Sequence, residues 1–172
     1  MRCLGPLELL DDRAVIGDPQ RQGGTCLVLT PEGLEHRANG TPEPLELLPW
    51  SRVVQLDIRT THWHWMATRG ATVAKWALLS RAHLGRNACS VHALVRHPYD
   101  DWYARYSHHE RAYTEAHTYL LGLLFEAVSE ARLTHRLGDA EWLGAVVEQV
   151  APLPFRRSSA QRIREIVAAV PV

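Results

Sequence analysis

The chain has 172 residues, 46% hydrophobic and 22% charged, with a formal net charge of zero. That balance describes an ordinary soluble globular protein, one domain or a domain with an appendage, long enough to bury a core. It argues against a dedicated nucleic-acid binder, and no apolar run approaches the ~20 residues that a membrane span needs.

In chain order, Leu7 to Ile16 reads as one strand interrupted by Asp11-Asp12, and Gln20 to Gly24 as a polar loop. Thr25 to Thr30, a Pro31-Glu32-Gly33 turn and Leu34 to Arg37 form a hairpin, and Asn39-Gly40 marks the next turn. Leu45 to Thr61 then reads as one long strand entered through Pro49-Trp50. Val54, Leu56 and Ile58 alternate there with Gln55, Asp57 and Arg59, the period of a half-buried strand with the first three on its core side. Ala71 to Leu79 alternates again. Ala88 to Val95 follows, with Cys89, Val91, Ala93 and Val95 on one face.

His97-Pro98 ends the β-rich part, and Pro98 to His108 is expected to be a helix with Asp100 and Asp101 near its N-terminus. Thr114 caps a long apolar helix from Glu115 to about Leu137, with Gly138 as its C′ residue. Asp139 caps a helix over Ala140 to Val150, and Ser158 or Ser159 caps a last one over Ala160 to Val170. The chain therefore divides into residues 1–112, β-rich, and residues 113–172, a helical extension packed on them.

Charge lies in blocks. Residues 1–50 carry four arginines against eight acids, and residues 51–112 carry nine basic groups against four acids. Such blocks more often complement one another within a molecule than mark a ligand surface. Arg156, Arg157, Arg162 and Arg164 in the tail are too sparse for a nucleic-acid helix. Cys3, Cys26 and Cys89 form no CxxC pair and read as reduced thiols, the last two as small core residues. Glu8, Asp11 and Asp12 close behind Met1 argue against a signal peptide, so a cytoplasmic address is expected.

Leu29-Thr30-Pro31-Glu32-Gly33, followed by Leu48-Pro49-Trp50-Ser51 and the β-branched Val53 and Val54, resembles bacterial pleckstrin-homology-like domains. The resemblance covers about residues 8–110 and implies an α+β fold. That fold is an antiparallel seven-stranded barrel with a C-terminal capping helix, the place taken here by Pro98 to His108. It implies no catalytic residue. Where such domains bind inositol phosphates they use basic residues around the first hairpin loops, and the Asp18 to Gly24 loop offers Arg21 alone. The other use of the fold is docking a partner segment beside an exposed strand and the capping helix. Trp76 on the Ala71–Leu79 strand, with Trp102 and Tyr106 on the expected helix, would then form the partner-binding groove.

Two clusters offer other chemistry. His62 and His64 fall on one side of a strand, a two-histidine metal half-site, and His109 would complete a zinc site if the following helix folds over the sheet. His109-Glu110 misses H-E-x-x-H because Tyr113 stands at the second histidine position. Ser90 and His92 share a strand face, but no G-x-S-x-G elbow accompanies them, and no phosphate-cradling glycine loop is present. The expected function is a non-catalytic cytoplasmic interaction or regulatory module without a cofactor. Its partner is a protein or a second copy of the chain. The alternative is a metal-binding protein or metal-dependent hydrolase using His62, His64 and His109.

Overall fold

The computed structural model describes residues 2–10, 13–60, 89–110 and 113–171. It is an α+β structure, with nine strands in two antiparallel sheets and three α-helices among the described residues. Six strands follow chain order in the first sheet: β1 (Arg2–Leu4), β2 (Leu7–Leu9), β3 (Ala14–Ile16), β4 (Thr25–Leu29), β5 (Gly33–Ala38) and β6 (Glu46–Pro49). The second sheet holds β7 (Val53–Arg59), β8 (Ser90–Val95) and β9 (Asp100–Arg105). The helices are α1 (Glu115–Glu130), α2 (Ala140–Val150) and α3 (Ser158–Ala169).

The expected hairpin appears as β4 and β5, with Thr25 opposite Ala38 and Leu29 opposite Leu34. The expected long strand from Leu45 to Thr61 is instead two strands in different sheets. Pro49 has no N–H to continue the ladder, and a 3-10 turn at Trp50–Arg52 redirects the chain. The buried Trp50 indole donates to the Thr30 carbonyl at 2.7 Å, which fixes the corner. Within β7 a register shift between Val53 and Gln55 turns Val54 outward, while Val53 and Leu56 are buried and Ile58 partly so. An extra residue in one strand reverses the faces beyond it. In β8 and just before it, Cys89, Val91, Ala93 and Val95 all face the core as their alternation indicates.

The expected Pro98–His108 capping helix is a strand. Pro98 lies in the tight connection between β8 and β9, and β9 pairs with β8 from Ser90–Arg105 to Val95–Asp100. Trp102, Ala104 and Tyr106 point inward and Asp101, Tyr103 and Arg105 outward, a period of two. The aromatic spacing fits one turn of helix equally well, and pairing with β8 decides the matter. Among the described residues the two sheets form no closed barrel. They meet at one corner, where Ser107 N donates to the Thr25 carbonyl at 2.8 Å and Thr25 N to Ser107 Oγ at 3.0 Å.

One apolar cluster fills the space between the layers. It joins Leu7, Ile16, Leu27 and Leu34 of the first sheet to Leu56, Val91 and Val95 of the second and to Leu120, Leu121, Leu124, Phe125 and Val128 of α1. Leu143 and Val147 of α2 and Ile163 and Val167 of α3 extend it. Helix α1 also closes the side of β7, because Leu56 N donates to Ser129 Oγ at 3.1 Å while that hydroxyl donates to the Phe125 carbonyl at 2.7 Å.

Helix α1 stops at Glu130 rather than running to Leu137. Arg132 takes φ 58°, and Leu133 N and Arg132 N donate to the carbonyls of Val128 and Ser129 in a Schellman ending. A 3-10 segment, Thr134–Gly138, follows. Gly138 is thus no C′ residue of that helix. A Cβ there would lie 2.0 Å from the Thr30 carbonyl oxygen, so the position admits only glycine beside the Trp50 corner. The expected caps Thr114 and Asp139 accept from the backbone N–H of His117 (3.2 Å) and Trp142 (3.0 Å). Ser158 and Ser159 do not cap. Arg157 occupies that place without a side-chain bond, and Ser159 Oγ donates to the Pro154 carbonyl at 2.6 Å.

Candidate functional site

Among the described residues several places bring polar chemistry or exposed apolar surface together, and four bear on function. The first is where the partner groove was expected. Trp76 lies outside the described residues. Trp102 is half-buried on the inward face of β9 and packs against the core. Tyr106 is a core residue: it is buried, and its hydroxyl donates to the Arg59 carbonyl at 3.0 Å. Burial lifts its phenol well above the ordinary tyrosine range. With a strand in place of the capping helix, Trp102 and Tyr106 line the interior instead of a groove.

The second place holds His109. His62 and His64 lie outside the described residues. His109 follows β9 in a segment packed against the start of the first sheet, and its side chain is about nine-tenths buried. Its Nε2 stands 3.7 Å from Glu8 Oε2, and its backbone N–H donates to the Tyr113 hydroxyl at 3.1 Å. His108 stacks on the Tyr113 ring with centroids 4.2 Å apart. Glu8 and His109 form one wall of a cavity of about 620 Å³ that Asp18, Arg21 and Glu110 also line. Among the described residues no group of three or more His, Cys, Asp or Glu is placed to hold a metal ion. The geometry here is that of a buried acid–imidazole pair, which sequence spacing cannot reveal because 101 positions separate its members.

The third place is the outer face of the second sheet. Register sets three rows across it: Arg59, Ser90 and Arg105; Asp57, His92 and Tyr103; Gln55, Leu94 and Asp101. Ser90 Oγ and His92 Nε2 are 3.0 Å apart, realising the shared face that their spacing indicates. Burial, aided by the Arg59 guanidinium, holds the imidazole below its ordinary range against the opposing pull of Asp57 and Asp101. A neutral imidazole beside a hydroxyl is a nucleophile–base pair in outline. Ser90 is only 3% exposed, so a substrate carbonyl has no approach to its Oγ. Beside this pair the face is open: Tyr103 is 57% exposed and Leu94 38%, and the two are diagonal neighbours across β8 and β9.

The fourth place is a cavity of about 640 Å³ between the start of β7, the β8–β9 connection and the C-terminal end of α1. Trp50, Arg96, Tyr99, Arg132 and Thr134 line it. It is not legible in the sequence, because its walls come from three separate stretches.

The three cysteines are free, with Cys26 and Cys89 buried, and burial pushes the Cys26 thiol up and away from thiolate chemistry. No helix among the described residues is long and apolar enough to cross a membrane.

These sites sit on an α+β scaffold of two antiparallel sheets covered by helices. No protein-family model, curated protein or solved structure matches the chain.

Proposed function

We propose that the chain is a non-catalytic, cytoplasmic protein-interaction module that binds a partner protein on the outer face of β7, β8 and β9. The observation that carries this reading is the adjacent, solvent-facing pair Leu94 and Tyr103 on the outer face of the sheet. Aromatic side chains with a polar tip are enriched in the centres of interfaces, and charged residues form the rims. Here Asp57 and Asp101 lie in the rows of the pair, and Arg59 and Arg105 in the adjoining row. The occupant is accordingly a partner with an apolar centre and charges of both signs around it. The docking face moves from the expected Trp76–Trp102–Tyr106 groove to this outer surface.

The test is site-specific photo-crosslinking in the native cytosol, with the reactive group at position 103 and, as a control, at the exposed position 161 of α3. A single heterologous adduct is expected from position 103 and none from position 161, and it should vanish in L94D. An adduct of twice the protein's mass would assign the face to a second copy. Persistence of the adduct in L94D, or equal labelling from both positions, would refute the docking face. Elemental analysis of untagged protein bears on the metal alternative, and stoichiometric zinc would turn the reading to a histidine site.

A further inference from the structure

We infer that the cavity at the C-terminal end of α1 is a binding site for a small oxyanion, the carboxylate or phosphate group of a low-molecular-weight ligand. Its volume of about 640 Å³ is in the range of small-molecule pockets. It is independent of the Leu94–Tyr103 face.

Three observations converge on an anion. Arg132 stands in the left-handed region, φ 58°, at the C′ position of α1, where glycine is the favoured residue. An arginine there is strained, and its side chain lines the cavity while making no hydrogen bond or ion pair among the described residues. Strain of this kind is retained where a side chain is needed. Arg96, exposed like Arg132, also lines the cavity, its guanidinium anchored by the Nε–H bond to the Ser51 carbonyl at 3.1 Å.

Thr134 supplies the second observation. It is 6% exposed, lines the cavity, and makes no side-chain hydrogen bond among the described residues. Its hydroxyl is not enclosed: it opens to the cavity, where it can donate to an oxyanion held there.

The third observation concerns charge. The acid on this rim is Glu130, and its carboxylate is taken by Arg164 at 2.7 Å, leaving Arg96 and Arg132 uncompensated by it. A helix C-terminus attracts basic side chains without any ligand. That attraction explains an arginine in the last turn, but not the left-handed residue chosen to carry it. Buried Trp50 and exposed Tyr99 give the pocket aromatic walls against which the body of the ligand would rest.

Two probes separate the sources: inorganic phosphate for a phosphorylated ligand, succinate for a carboxylated one, each titrated at constant ionic strength and followed by the Trp50 indole resonance. Saturable binding of at least one probe is expected. It should weaken at least tenfold in R132G and R132N, and several-fold in T134V. Both Arg132 variants replace a strained residue with one that tolerates φ above zero, so their thermal midpoints should equal or exceed that of the parent. A lowered midpoint in both would show that Arg132 serves the fold and would overturn the inference. Binding unaffected by R132G and R132N, or no saturable binding of either probe to the parent protein, would overturn it equally.

Discussion

His36 and His92 illustrate how a residue's worth depends on the layer it sits in. His36, on β5, faces inward, and burial lowers its imidazole against the raising effects of its bond to the Arg105 backbone and of Glu46. His92 is lowered by burial and Arg59. A histidine held below its ordinary range binds fewer protons folded than unfolded, so acid favours the unfolded chain. The stability involved is intact above the ordinary histidine value of about 6.5 and is lost as the pH falls below it toward the folded values. We predict that the urea midpoint drops between about pH 7.5 and pH 5.5, and that H36Q and H92Q each flatten the slope. An unaltered slope in the double variant would assign it to other groups. His36 was not legible as special in the sequence, where ten histidines are scattered along the chain and burial is invisible, and His92 was legible only through its spacing from Ser90.

At the level of elements, local signals succeeded where the controlling interaction is itself local. Thr114 and Asp139 are caps because an oxygen on the side chain reaches an N–H three residues on, a contact contained in four residues. Asp139 gains further from Arg136, 3.3 Å away. Replacing Asp139 with alanine should cost about 1 kcal/mol in chemical denaturation. Ser158→Ala, at a residue that looks like a cap and is not one, should change stability by less than about 0.5 kcal/mol. Equal losses in the two variants would contradict the capping assignment. The helix expected from Pro98 to His108 failed for the complementary reason. Its aromatic spacing is ambiguous over a short window, and the β8 edge that pairs with Asp100–Arg105 offers hydrogen bonds that no local propensity can rival. The Val54 reversal likewise comes from a one-residue shift opposite β8.

For the whole molecule, the decisive fact is that the sheets and helices share one apolar cluster. Leu120, Leu121, Leu124 and Phe125 of α1 are fully buried against both sheets. Burying each such side chain stabilises by about 1.5–3 kcal/mol, so these four together are comparable to the whole margin of a typical domain. We predict that a chain ending at residue 112 does not fold: it should bind a hydrophobic dye and show no cooperative thermal transition. The full chain should unfold in one transition seen alike by tryptophan fluorescence and far-ultraviolet circular dichroism. A folded 1–112 fragment would show that the sheets close their own core without α1.

By itself the sequence determined the α+β class, the β4–β5 hairpin, the inward face of β8 and the caps of α1 and α2. Each rests on a period or a contact spanning a few residues. Only the tertiary structure decided that Leu45 to Thr61 divides at the Trp50 corner, that Asp100 to Arg105 is a strand, and that Tyr106 belongs to the interior. It alone brought Glu8 to His109 and Arg96 to the cavity beside Arg132 and Thr134. Those outcomes depend on pairing and burial between distant segments, and the free energy of such contacts is written in no single stretch of chain.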